Sequence, residues 1–147
     1  MLVVLTLSIA LVADAPKRDP VDKASLAKLQ GKWQLARVEF AGKSAPAKDL
    51  IAQTVEIIGN RTTARDGDDI KDETEIVALD AKSKPTAIDL KVIKGDDKDK
   101  TLAGIWKLDG DKLTVCVPEA GKPRPKAFEA KEGTGHTLLV FEKMKKK

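Results

Sequence analysis

A chain of 147 residues fits one domain rather than two, and at that length a single hydrophobic core can bury most of what the unfolded chain exposes. Hydrophobic residues make up 41% and charged ones 34%, with 27 basic against 23 acidic side chains: this excludes a disordered polyelectrolyte, and a net charge of +4 does not argue for a nucleic-acid partner. Cys116 is the only cysteine, so no intramolecular disulfide can form and stability must come from the core.

In chain order, residues 1–12 are almost wholly apolar and lead into Ala13-Asp14-Ala15, a small-x-small site of the kind signal peptidase reads. A signal peptide over residues 1–15 is expected, with an exported protein, periplasmic or secreted. The run is shorter than the about 20 apolar residues of a spanning helix, so a membrane is involved only if the leader stays uncleaved. Residues 16–22 read as an exposed linker. Residues 23–30 read as a short helical turn, with Leu26 and Leu29 three apart.

From Gly31 the pattern changes to period two. Trp33 and Leu35 share one face while Val38 and Phe40 have the opposite parity, which predicts a bulge near Ala36-Arg37. Further strands are predicted at residues 54–58, 61–65, 74–80, 87–93, 102–108, 112–117, 127–131 and 137–142. Gly59-Asn60 and Asp109-Gly110 are two-residue turns whose residues tolerate positive φ, as the primed hairpin turns require. Residues 66–72, 94–100 and 119–126 break the alternation with charge, Gly and Pro and read as loops. Nine strands with almost no helix predict an all-β chain, either a sandwich or a barrel. Consecutive hairpins favour an up-and-down antiparallel β-barrel of eight or nine strands over residues 29–143, followed by a basic tail at 144–147.

Leu29-x-Gly31-x-Trp33, Gly42, Pro85-x-x-Ile88-Asp89-Leu90, Gly104-Ile105-x-x-Leu108-Asp109-Gly110-Asp111, Leu113-x-x-Cys116 and Arg124-Pro125-x-x-Phe128 follow one another in this order. As a set they make the chain resemble the lipocalin-like domain family of planctomycete bacteria, from about Leu29 to Lys143. The resemblance implies a calycin-type barrel, often behind a signal peptide, and no particular activity. In lipocalins a Gly-x-Trp motif opens the first strand and a basic residue beyond the last strand packs across that Trp. The resemblance thereby assigns Gly31 and Trp33 to a structural barrel motif, with Lys143 as the nearest candidate for the closing cation.

Trp33 is expected to plug the closed end of the barrel with its N–H bonded. Trp106 is the stronger ligand candidate, because Gly104, Trp106 and Leu108 lie with Leu102 on one strand face and a glycine beside a large ring leaves space for a neighbour or a ligand. Lys122-Pro-Arg-Pro-Lys126 is stiff and basic; Arg124 could grip a ligand carboxylate or a partner, or pair with a carboxylate on the barrel rim. Cys116 and His136 are each unique, so a Cys-His nucleophile would need both, yet Cys116 lies in an apolar strand where a thiol is inert. Ser25, Ser44 and Ser83 have no nucleophile-elbow context.

The acidic stretches around residues 66–73 and 96–99 lack EF-hand order and are interleaved with lysines, which makes them solvated hairpins rather than Ca²⁺ loops. One Cys and one His do not supply a zinc site. No metal, cofactor or catalytic residue is therefore expected. Nucleic-acid binding would want aromatics among the basic residues, and there are three Phe, two Trp and no Tyr. The reading that results is a non-enzymatic binding domain for a small apolar or amphipathic molecule. The alternative is an interaction or inhibitor module that meets an envelope protein through its loops.

Overall fold

Glycines at the first position of two-residue turns set the hairpins of this chain. The computed structural model describes residues 20–145. In chain order they form helix α1 (Lys23–Leu29), strands β1 (Gly31–Phe40) and β2 (Lys43–Ser44), a short 3-10 turn (Ala47–Asp49), and strands β3 (Gln53–Ile58), β4 (Arg61–Asp66), β5 (Asp69–Asp80), β6 (Ala87–Lys94), β7 (Thr101–Asp109), β8 (Lys112–Val117) and β9 (Thr137–Lys143). Gly59-Asn60 joins β3 to β4, with Ile58 facing Arg61. The β7–β8 turn is Gly110-Asp111, because Asp109 still pairs with Lys112, so the expected Asp109-Gly110 turn moves on by one residue. The reason is conformational. Gly59 and Gly110 have φ of 60° and 59°, and glycine at the first central position is the requirement of a type II′ turn.

Every named strand pairing is antiparallel, in the order β2-β1-β3-β4-β5-β6-β7-β8-β9, and β9 returns to pair with β1. Eight strands close into an up-and-down barrel, as expected, and β2 is a two-residue extension outside it. β1 achieves the closure by belonging to both ends of the sheet. Its residues 31–34 pair with β3, while those from Trp33 to Phe40 pair with β9. The register shifts between Leu35 and Arg37, at the expected bulge, and this bend turns Val38 inward after Trp33 and Leu35.

Three expectations are corrected. Residues 66–72 are not a loop, because β4 runs to Asp66 and β5 starts at Asp69, paired with it, which leaves only Gly67-Asp68 as the turn. Residues 127–131 are not a strand, because β8 and β9 pair directly from Lys112–Glu142 to Val117–Thr137 and leave no open edge between them. Residues 118–136 instead form a long loop. Ala130 and Phe128 on that loop pack over Ile105, Cys116 and Leu138, which makes a second, smaller apolar cluster on the outer side of the sheet. Nor are residues 20–22 a free linker, although Pro20 is exposed. The twelve residues of β5 run past the end of β4, leaving a free edge, and the Leu79 N–H donates to the Pro20 carbonyl at 2.8 Å while the Asp22 N–H donates to the Leu79 carbonyl at 2.9 Å. Val21 bridges Leu79 in parallel and packs against the core.

Asp22 then caps α1, accepting from the Ser25 N–H at 3.1 Å and the Ser25 hydroxyl at 2.5 Å. Ser25 and Leu29 are the buried positions of α1, and Leu29 closes one end of the barrel. The folded body accordingly takes in residues 20–28 as well as the expected 29–143. The expected signal peptide over residues 1–15, and Lys146 and Lys147 of the basic tail, lie outside the described residues. Among the described residues no helix is long and apolar enough to cross a membrane.

Candidate functional site

Alternate residues of each strand point into the barrel, and at the end nearest α1 they fill it. Trp33 is 1% exposed, and its Nε1 donates to the Leu29 carbonyl at 2.9 Å, so burial leaves no donor unpaired. Trp106 is buried beside it in the same cluster, its Nε1 donating to the Ala87 carbonyl at 3.2 Å. Lys143 is the register partner of Trp33, and its Nζ stands 5.7 Å from the Trp33 ring centroid. The Lys143 stem also passes over Gly31, where a Cβ would lie 3.6 Å from Cε. Gly31, Trp33 and Lys143 thus meet at the closed end.

Above this floor the barrel is hollow. A cavity of about 400 Å³ runs from Leu29, Leu113 and Phe141 upward to Asp72, Asp96 and Asp97 at the opposite end. Its origin lies in side-chain size. β3, β4 and β5 contribute Val55, Thr62, Ala64 and Thr74 to one wall, and these short side chains cannot reach the branched residues Leu102, Val115 and Leu139 of β7, β8 and β9 across the lumen. Thr62 and Thr74 are register partners whose hydroxyls hydrogen-bond to each other. Their polarity is satisfied within the wall, and the surface offered to a ligand is mostly hydrocarbon.

The residues singled out in the sequence fall around this cavity rather than in it. Leu102, Gly104, Trp106 and Leu108 share the inward face of β7, but only Leu102 lines the cavity; Trp106 and Leu108 belong to the packed floor. The space beside Gly104 is taken by a neighbour. A Cβ there would lie 2.9 Å from the Cys116 carbonyl oxygen and 3.0 Å from Cγ1 of Val117, a side chain that does line the cavity. Arg124 lies on the outer surface. Its Nη1 donates to the Gly104 carbonyl at 2.6 Å and the Ile88 carbonyl at 3.4 Å, and its Nη2 pairs with Asp89 at 2.7 Å. The fork pins the long loop to the β6–β7 hairpin.

Three charged residues line the cavity, Asp72, Asp96 and Asp97, and they come from the acidic stretches that the sequence reads as solvated hairpins. Asp72 comes from β5 and the other two from the β6–β7 loop, 24 and 25 residues on. Partial burial of Asp72, reinforced by the charges of Asp96 and then Asp97, raises its carboxyl above the ordinary 3.8. A signal for them did exist. In an up-and-down barrel alternate turns share one end, so the acidic 66–72 and 94–100 stretches must both lie at the end away from Trp33.

The Cys116 thiol is fully buried in the outer cluster, donates to the Glu129 carbonyl at 3.5 Å, and is raised above its ordinary pKa by burial. Among the described residues no three His, Cys, Asp or Glu side chains are placed to hold a metal ion. No family model, curated protein or solved structure matches the chain.

Proposed function

We propose that this protein is a non-enzymatic, lipocalin-like binding protein that holds a small apolar or amphipathic molecule inside its barrel. The observation that carries the reading is the cavity itself: about 400 Å³ of apolar-walled space, open at one end, in a fold whose other end is fully packed. Ligand sites are concave, mostly apolar and largely preformed. An apolar cavity of ~150 Å³ accepts benzene, so by proportion this one takes roughly sixteen non-hydrogen atoms. Burying that ligand's hydrocarbon surface supplies about 25 cal/mol for each Å² removed from water. In this reading the apolar leader exports the domain, and the ligand is one met outside the cytoplasm.

Neither tryptophan lines the cavity, so intrinsic fluorescence is a poor reporter and an external probe is needed. The test is titration with the uncharged fluorophore N-phenyl-1-naphthylamine. Saturable, one-to-one enhancement is expected. Ala64→Phe, which places a ring in the lumen from β4, is expected to weaken it at least tenfold with the fold retained by circular dichroism. Absence of saturable binding, or equal binding by the Ala64→Phe variant, would overturn the proposal.

A further inference from the structure

The charged side chains that line the cavity are all acidic, and that sign constrains the ligand. Among the described residues, Asp72, Asp96 and Asp97 are the only charged side chains that line it, and they stand at its mouth. Lysines 71, 94, 98 and 100 stand in the same two hairpins, yet none of them lines it. Lys100 pairs with Asp97 at 3.5 Å from an outward position, with 61% of its side chain exposed.

The arrangement of Asp72 ties the two hairpins together. Its carboxylate lies against Gly95 of the β6–β7 loop, so closely that a Cβ at Gly95 would fall within it. Gly95, with φ of 133°, therefore makes room for the Asp72 side chain beside the loop that carries Asp96 and Asp97. Carboxylates brought together from β5 and this loop repel one another, and this repulsion adds to partial burial in raising the proton affinity of Asp72. A cation placed among them would relieve that repulsion, whereas an anion would add to it. The hydrocarbon below supplies binding energy but does not distinguish one head group from another.

Resting on the cavity-binding reading above, we infer that the ligand is a cationic amphiphile. Its apolar body occupies the lumen between Leu113 and Leu102, and its ammonium group sits at the mouth among Asp72, Asp96 and Asp97. A fatty acid or other anionic amphiphile is disfavoured by the same three carboxylates. The contacts are solvent-reachable, so the preference is moderate and falls as salt screens it over about 8 Å at physiological ionic strength.

Displacement of bound N-phenyl-1-naphthylamine from the full-length protein tests the inference, using dodecylamine, dodecanol and dodecanoate below their aggregation concentrations. Dodecylamine is expected to compete about fivefold to tenfold more tightly than dodecanol, with dodecanoate weakest, and the spread is expected to narrow in high salt. Combined Asp72→Asn, Asp96→Asn and Asp97→Asn substitution is expected to erase the ranking. Equal competition by all three ligands would overturn the cationic ligand while leaving the cavity reading intact. Failure of the probe itself to bind would remove both. The ranking in the unsubstituted protein is decisive even if the triple variant does not fold.

Discussion

Lys143 and Trp33 face one another across β9 and β1, with the ammonium nitrogen 5.7 Å from the ring centroid. The pair joins the first barrel strand to the last at the point of closure, and the Lys143 N–H also donates to the Asp111 carbonyl at 2.8 Å. A cation held over an indole at an exposed site is worth about 0.5–1 kcal/mol. A double-mutant cycle of Lys143→Ala with Trp33→Leu, read by urea denaturation, is expected to give a coupling energy in that range. Additive losses would mean that the stacking contributes nothing. Trp33→Leu alone is expected to cost about 3 kcal/mol, because it also orphans the buried Leu29 carbonyl.

Gly104→Ala is expected to destabilise the barrel by about 1–3 kcal/mol. The added Cβ meets the Cys116 carbonyl oxygen at 2.9 Å, and backbone does not yield as a flexible side chain would. Val117 must move into the lumen, so probe affinity is expected to fall as well. Thermal unfolding and probe titration measure the two effects separately. Unchanged stability would mean that β7 and β8 can separate without cost.

Arg124→Ala separates a loop clamp from a ligand contact. Removing the fork leaves Asp89 unpaired and the Gly104 and Ile88 carbonyls without their extra donor. A loss of about 1 kcal/mol is expected, below the usual worth of charged hydrogen bonds because the pair is partly exposed. Probe affinity is expected to stay within about twofold. A large loss of affinity with stability preserved would place Arg124 in the binding site after all.

Asp72 yields a pH signature. Its carboxyl is raised in the folded protein above the ordinary 3.8, so the folded state binds that proton more tightly than the unfolded chain does. This contribution is complete below about pH 3.8 and is lost as pH rises through the raised value. Asp72→Asn abolishes the loss. The stability difference between variant and parent is therefore expected to be near zero at about pH 3 and to favour the variant by a few tenths of a kcal/mol at about pH 7. Asp22 and Asp80 act in the opposite sense, lowered by hydrogen bonds from Ser25 and from the Lys82 N–H respectively. The difference curve from denaturant unfolding cancels them. A curve that is flat, or that slopes the other way, contradicts the assignment.

The sequence by itself determined the architecture, because its signals are local. Period-two alternation places a side chain inside or outside without reference to any partner, glycine at a turn specifies a hairpin, and a parity switch within β1 marks a bulge. Those cues sufficed for α1, for all eight barrel strands and for the bend at Leu35 and Arg37. They misread residues 127–131, where Phe128 and Ala130 alternate as a strand would but are buried by packing over Cys116. Alternation reports that one face is covered and does not say by what. Residues 20–22 failed for the converse reason. Nothing local shows that β5 outruns β4 and leaves Leu79 to be paired.

Only the tertiary structure decided where the hollow lies. Whether Gly104 leaves room for a ligand depends on Val117, thirteen residues away on the neighbouring strand, and Val117 fills it. Whether Arg124 is available depends on Asp89 and two backbone carbonyls on the outer face of β6 and β7. The cavity exists because short side chains from β3, β4 and β5 stand opposite residues that cannot cross the lumen. Volume left over is a property of the closed barrel and not of any one strand. The acidic mouth is the intermediate case. Its residues are plain in the chain and the alternation of turns puts them at one end, but it is the length of the β5–β6 pairing, carried as far as Glu73 opposite Lys94, that brings Asp72 beside Asp96 and Asp97.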